Sequence, residues 1–180
     1  MSILAVYEDS ELQQPRMVLT HLEDIVPRLS EVGVRLEAVP LSGIAGMTSD
    51  AELIEACSRL CTESMANADL PFRQLLDLPY MPAYAEVSEA EIAPEHSHGR
   101  AGFRLFVCGR ATLCLHHGNS LLALACAPGD LLLLPARLKH WAIPVPGERC
   151  RVLQFGTSVG DLQALPSGSS LARVFLPLEL

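Results

Sequence analysis

His96, Ser97 and His98 form the triplet with the most evident chemistry in this chain. On a β-strand, residues i and i+2 point to one face, so two imidazoles at that spacing can hold one ion. A third imidazole, His140, lies in a later turn-rich segment that also contains Gly129, Asp130 and Pro135. Together the three predict a site for a divalent transition metal, against the alternative of three structural histidines. Other candidate ligands are weaker. Glu95 neighbours His96, so strand alternation turns it away. Glu148 reaches the site only if its loop folds inward. His116 and His117 are consecutive, so one of them faces the interior. Trp141, beside His140, is expected to pack a pocket wall. His21 is expected on a helix surface and His116 in the core.

The elements that must position these residues fall into two styles. The first third reads as helical. Thr20-His21-Leu22-Glu23 and Ser49-Asp50-Ala51-Glu52 are capping-box patterns. Leu53, Cys57, Leu60 and Cys61 repeat at the spacing of one buried helix face. Pro27 should kink or shorten the first helix, and Gly33 should stop it. Leu70-Pro71 and Leu78–Pro82 read as connectors. From about Ala83 the chain becomes short β-prone runs between turn residues: Phe103–Cys108, Thr112–His117, Leu121–Ala127, Leu131–Leu134 and Cys150–Phe155. Such spacing predicts a β-sandwich or barrel. The acid-rich segment Glu86–Glu91 reads as a solvated face.

The chain has 180 residues, expected as a single domain: helical part and connectors at 1–82, barrel core at 83–156, C-terminal extension at 157–180. The net charge of −8 argues against nucleic acid as a partner, because phosphate contacts need clustered Lys and Arg. No apolar run approaches the ~18 residues a bilayer-spanning helix needs. No basic-then-apolar leader opens the chain, so the six cysteines are expected as free, buried thiols in a cytoplasmic protein. Phosphate-binding loops, dinucleotide fingerprints and nucleophile elbows are missing from the sequence.

Two resemblances sharpen this reading. His96-x-His98 with the later Gly109, then Gly129, Pro135 and His140, resembles the two halves of the cupin barrel motif. The implied fold is α+β, a cupin-type β-barrel (a double-stranded β-helix) with N-terminal helices. More specifically, Glu95–Gly99 with Arg104 and Phe106, Leu115-His116, Gly129 to Ala136, His140-Trp141 and Val18–Ile25 resemble acireductone dioxygenases. The resemblance implies a non-haem Fe(II) enzyme of methionine salvage, with Ni(II) as the other possible metal. Its substrates would be a small enediol and O₂. With iron the products would be a 2-keto acid and formate; with nickel an off-pathway cleavage would also release carbon monoxide. His96, His98 and His140 would bind the metal, and Arg104 would contact the substrate anion.

The pattern departs from that family at several positions. The family's glutamate ligand belongs at position 102, which is Gly102 here. Gln154 falls where the family has an arginine, Ala142 where it has a bulky aromatic, and Arg100 and Ala101 where it has acids. Three neutral imidazoles can still hold a divalent metal. The rivals to acireductone cleavage are a related chelating substrate, a metal-dependent isomerase or lyase, and a non-catalytic cupin that binds a small ligand.

Overall fold

Apolar runs such as Leu121–Ala125 lack the in–out alternation of a half-exposed sheet, because both faces of their sheets are covered. The computed structural model describes residues 2–44, 46–65, 68, 70–82 and 92–177. In chain order these form β1 (Leu4–Glu8), β2 (Met17–Leu19), α1 (Leu22–Ser30), β3 (Arg35–Ala38) and α2 (Asp50–Leu60). Then come β4 (Phe72–Asp77), β5 (His96–Ser97), β6 (Gly102–Cys108), β7 (Ala111–His117) and β8 (Ser120–Cys126). Next are β9 (Asp130–Leu134), β10 (Lys139–Pro144) and β11 (Arg151–Gly156). A 3₁₀ turn (Gly160–Leu162), β12 (Leu165–Pro166) and α3 (Leu171–Val174) follow. One sheet runs β12-β5-β10-β7-β8-β1-β2 and the other β3-β9-β6-β11-β4, and every described pairing is antiparallel.

Leu113, Leu115, Leu122 and Leu124 of the first sheet meet Phe106, Leu132, Leu134 and Val152 of the second in one shared core. The outer face of the first sheet is covered by Ala172 and Phe175, packed on Tyr7 and Trp141. The outer face of the second is covered by Leu53, Cys57 and Cys61, packed with Phe103, Leu105 and Phe155. Burying an apolar side chain of this size contributes roughly 1.5–3 kcal/mol, so the continuous apolar runs fit a doubly covered sheet.

The five expected strand runs appear as β6, β7, β8, β9 and β11. Gly109 sits at the β6–β7 turn with φ 67°. A Cβ there would stand 2.1 Å from the Arg149 carbonyl oxygen, so only glycine fits. The helical reading of the first third needs correction. It holds for α1 and α2, but β1, β2 and β3 lie there too, and β1 enters the first sheet by pairing with β8. Sequence pattern misses them because short apolar stretches carry no decisive period.

Ser49 caps α2 by accepting from the Glu52 N–H, as the capping box predicts. The other box fails: α1 is preceded by His21, whose side chain makes no cap, since Thr20 is still leaving β2. Pro27 lies inside α1, and the helix ends at Ser30, before Gly33. All six cysteines are free, and five are buried; Cys108, at the end of β6, is exposed. The acidic run Glu86–Glu91 lies outside the described residues. Among the described residues, no helix is long and apolar enough to cross a membrane.

Candidate metal centre

β5 is only two residues long, but it is held on both sides. It pairs with β10 through His96↔His140 and with β12 through Leu165↔Ser97. This register makes His96 and His140 direct cross-strand neighbours, with ring centroids 4.6 Å apart. His98, just beyond β5, completes the triangle at 5.4 Å from His96 and 5.2 Å from His140. One ligand nitrogen from each ring lies within 4.8 Å of the others.

Each ring is oriented the same way. Nδ1 of His96 lies 2.8 Å from the Pro94 carbonyl, Nδ1 of His98 3.1 Å from that of Gln163, and Nδ1 of His140 2.8 Å from that of Leu138. A carbonyl can only accept, so each Nδ1 donates, which in the neutral ring leaves the Nε2 lone pair for an ion. This is the tautomer that an Nε2 metal ligand requires, with the far nitrogen fixed by a hydrogen bond. Nε2 of His98 is buried and has no hydrogen-bond partner among the described residues. A buried lone pair in that state calls for an electrophile. Desolvation, then Arg104 and His96, lower the His98 pKa to about 4. Desolvation, then His96, lower that of His140 to about 3. Both rings are therefore neutral at pH 7, ready to donate to an ion.

A cavity of about 140 Å³ adjoins the rings, lined by His96, His140, Arg104, Gln154 and apolar side chains including Phe106 and Ala142. A larger cleft of about 700 Å³, lined by residues such as Arg35, Glu63 and Phe103, contains no imidazole and lies elsewhere. Arg104 arrives by a route that strand parity does not describe. The strand breaks after Ser97, and β5 and β6 belong to different sheets. Because those sheets face each other, Arg104 still lines the cavity, paired in register with Gln154 of β11. Burial lowers its pKa to about 10, so the guanidinium stays charged at neutral pH.

Some expectations are corrected here, while Glu95 turns away from the rings as expected. Trp141 does not line the cavity. Alternation on β10 sends it, with Ile143, into the outer cluster beside Phe175, while His140 and Ala142 face the cavity. Arg100 points outward to Asp161, 3.7 Å away, and Ala101 borders the larger cleft. Glu95 is fully buried but faces away from the rings, accepting from His116 Nδ1 at 2.7 Å and Ser167 Oγ at 2.6 Å. His116 is thus a half-buried partner of Glu95 rather than a core residue, and Glu148 is engaged by Arg110. Neither is near enough to the rings to join their cluster.

Position 102 is closed as well as bare. A Cβ on Gly102 would lie 2.7 Å from the Phe155 carbonyl oxygen across the β6–β11 ladder and 3.1 Å from Arg104 Nη1. Gly102→Ala is expected to cost about 1–3 kcal/mol by overpacking. Thermal unfolding reads this as a drop of several degrees in Tm; an unchanged Tm would mean that β11 yields.

The two facing sheets and the convergent imidazoles define a cupin with a candidate metal centre. The comparisons are specific about the family. The chain is 34% identical over 142 residues to the acireductone dioxygenase of Stutzerimonas stutzeri strain A1501, covering 78% of each chain. It is 36% identical over 146 residues to that of Pseudomonas aeruginosa strain UCBPP-PA14, again covering 78% of each. The chain belongs to the acireductone dioxygenase family. The solved acireductone dioxygenase of Bacillus anthracis, which has a cadmium ion in its active centre, superposes with a TM-score of 0.72 over 92% of this chain and 98% of that one. At 15% identity this match supports the fold. No protein-family model matches the chain.

Proposed function

We propose that this protein is a non-haem Fe(II)-dependent dioxygenase of the acireductone type, with His96, His98 and His140 as metal ligands and Arg104 as the residue that holds the substrate anion. The observation that carries it is the shared ring orientation: each Nδ1 lies against a backbone carbonyl, which leaves each Nε2 for an ion, and one nitrogen from each ring lies within 4.8 Å of the others. Bound iron supplies Lewis acidity and a template for a chelating enediolate. The residues do the rest. Arg104, charged and buried on the cavity wall, orients the anion, and the apolar lining restricts water. Iron is the proposed metal and nickel the alternative, since imidazole accepts both. Residues 1–180 act as one domain in this reading, because β1 completes the sheet that carries β10. Free thiols throughout fit a cytoplasmic setting.

Protein purified from metal-replete cells should contain close to one equivalent of divalent metal and consume O₂ when given an acireductone. Metal below about a tenth of an equivalent would sink the metal-centre reading. Full occupancy without O₂ uptake would reject acireductone as substrate and leave the centre standing. One observation favours a related chelating substrate: among the described residues, no carboxylate joins the three imidazoles.

A further inference from the structure

β5 comprises only His96 and Ser97, and it meets β10 at one residue pair, His96↔His140. A ladder this short leaves much of the strand's placement to other contacts. Glu95, just ahead of β5, supplies them on the side away from the rings. It is fully buried, and a buried carboxylate is stable only when its oxygens are hydrogen-bonded. Oε2 accepts from His116 Nδ1 at 2.7 Å and Oε1 from Ser167 Oγ at 2.6 Å. His116 belongs to β7, and its Nε2 lies 3.9 Å from Asp9 Oδ2, just past the end of β1. The Ser167 N–H also donates to the Glu95 carbonyl at 3.0 Å, so Glu95 is gripped through backbone and side chain together. This residue shares a peptide unit with the Pro94 carbonyl, which accepts from His96 Nδ1 at 2.8 Å. A peptide unit is planar, so holding Glu95 restricts where that carbonyl points.

We propose that Glu95 is a positioning residue for the metal centre: its carboxylate, clamped by His116 and Ser167, fixes the Pro94–Glu95 peptide whose carbonyl aims the His96 ring at the ion. The proposal rests on the three histidines being a metal centre. Glu95 touches neither the ion nor the substrate. It acts through His96, by holding one imidazole ready against the other two, so that the ion does not have to order β5 when it binds. Groups that orient metal ligands in this way commonly change affinity by about 10–100-fold when they are removed.

The test uses Co(II) as probe, titrated into the metal-free full-length protein and its variants, each well below its own Tm, and followed by calorimetry and visible absorption. Glu95→Ala should weaken Co(II) binding by about ten-fold or more and alter the visible bands of the bound ion. Glu95→Gln can still accept from His116 and donate to Ser167 Oγ, so it should recover part of that loss. Ser167→Ala keeps the backbone bond and the His116 contact, and should weaken binding less than Glu95→Ala does. Ser167→Thr, which keeps a hydroxyl, should restore it. Glu95→Ala combined with Ser167→Ala should bind no more weakly than Glu95→Ala alone, because both remove the same contact. If Glu95→Ala does not fold, Glu95→Gln and the two Ser167 variants decide. Lowered Tm values with wild-type Co(II) affinity and spectra would overturn the proposal, assign the clamp to stability alone and leave the metal centre standing. No Co(II) binding by the wild-type protein would remove both.

Discussion

His140→Asn should abolish stoichiometric metal binding and oxygen uptake while leaving the protein folded. Asparagine can place an N–H where Nδ1 stands, so the bond to the Leu138 carbonyl is kept and only the Nε2 donor is lost. A four-ligand structural metal is worth roughly 10–16 kcal/mol, or about 3 kcal/mol per ligand, which corresponds to a fall of at least about 100-fold in affinity. Calorimetry with Co(II) and metal analysis of the purified variant check this. Retention of wild-type affinity would exclude His140 as a ligand. Unfolding of the variant would instead assign the ring a structural role, and circular dichroism distinguishes the two.

Metal-free protein should lose stability steeply as the pH falls from about 6.5 to 4. The folded-state pKa values of His98 and His140 are lowered, to about 4 and about 3, chiefly by desolvation. Above pH 6.5 both rings are neutral in the folded and unfolded chains, so neither contributes a pH dependence. Below it the unfolded chain takes up protons that the folded chain refuses, and stability falls until each folded-state pKa is reached. One unit is about 1.4 kcal/mol, so His98 alone costs on the order of 3 kcal/mol by pH 4. Urea midpoints measured across this range should decline, and His98→Asn, which keeps a donor for the Gln163 carbonyl, should flatten the decline. A profile identical to wild type would mean that the His98 ring is already hydrated and open to protons.

The barrel was legible where turn glycines and prolines bracket long apolar runs, as at Phe103–Cys108 and Leu121–Ala127. It was illegible where pairing partners are remote. Nothing local marks Leu4–Glu8 as a strand; it becomes one by lying against Ser120–Leu124. His140 was readable as a side chain, but its strand, Lys139–Pro144, was hidden inside a segment that reads as turns. The three-histidine cluster was legible because imidazole is chemically distinctive. The groups that fix the tautomers were not, because the carbonyls of Pro94, Leu138 and Gln163 are backbone atoms that every residue carries. Arg104 was legible only through the family resemblance, since the strand breaks after Ser97 and it is the facing of the two sheets that turns its side chain to the cavity. Gly102 could be read as a missing side chain. Only coordinates reveal that the neighbouring strand also excludes one.

β12 ties a remote part of the chain to the histidine cluster. It flanks β5, Ser167 binds both the backbone and the carboxylate of Glu95, and Gln163 orients His98. The rim that carries two of the three histidines is thus finished by a segment 65 or more positions further along the chain. Cleavage ahead of Gln163 would therefore free the carbonyl that His98 Nδ1 meets and the hydroxyl that Glu95 accepts from, while the pairing of β6 with β11 does not involve that segment.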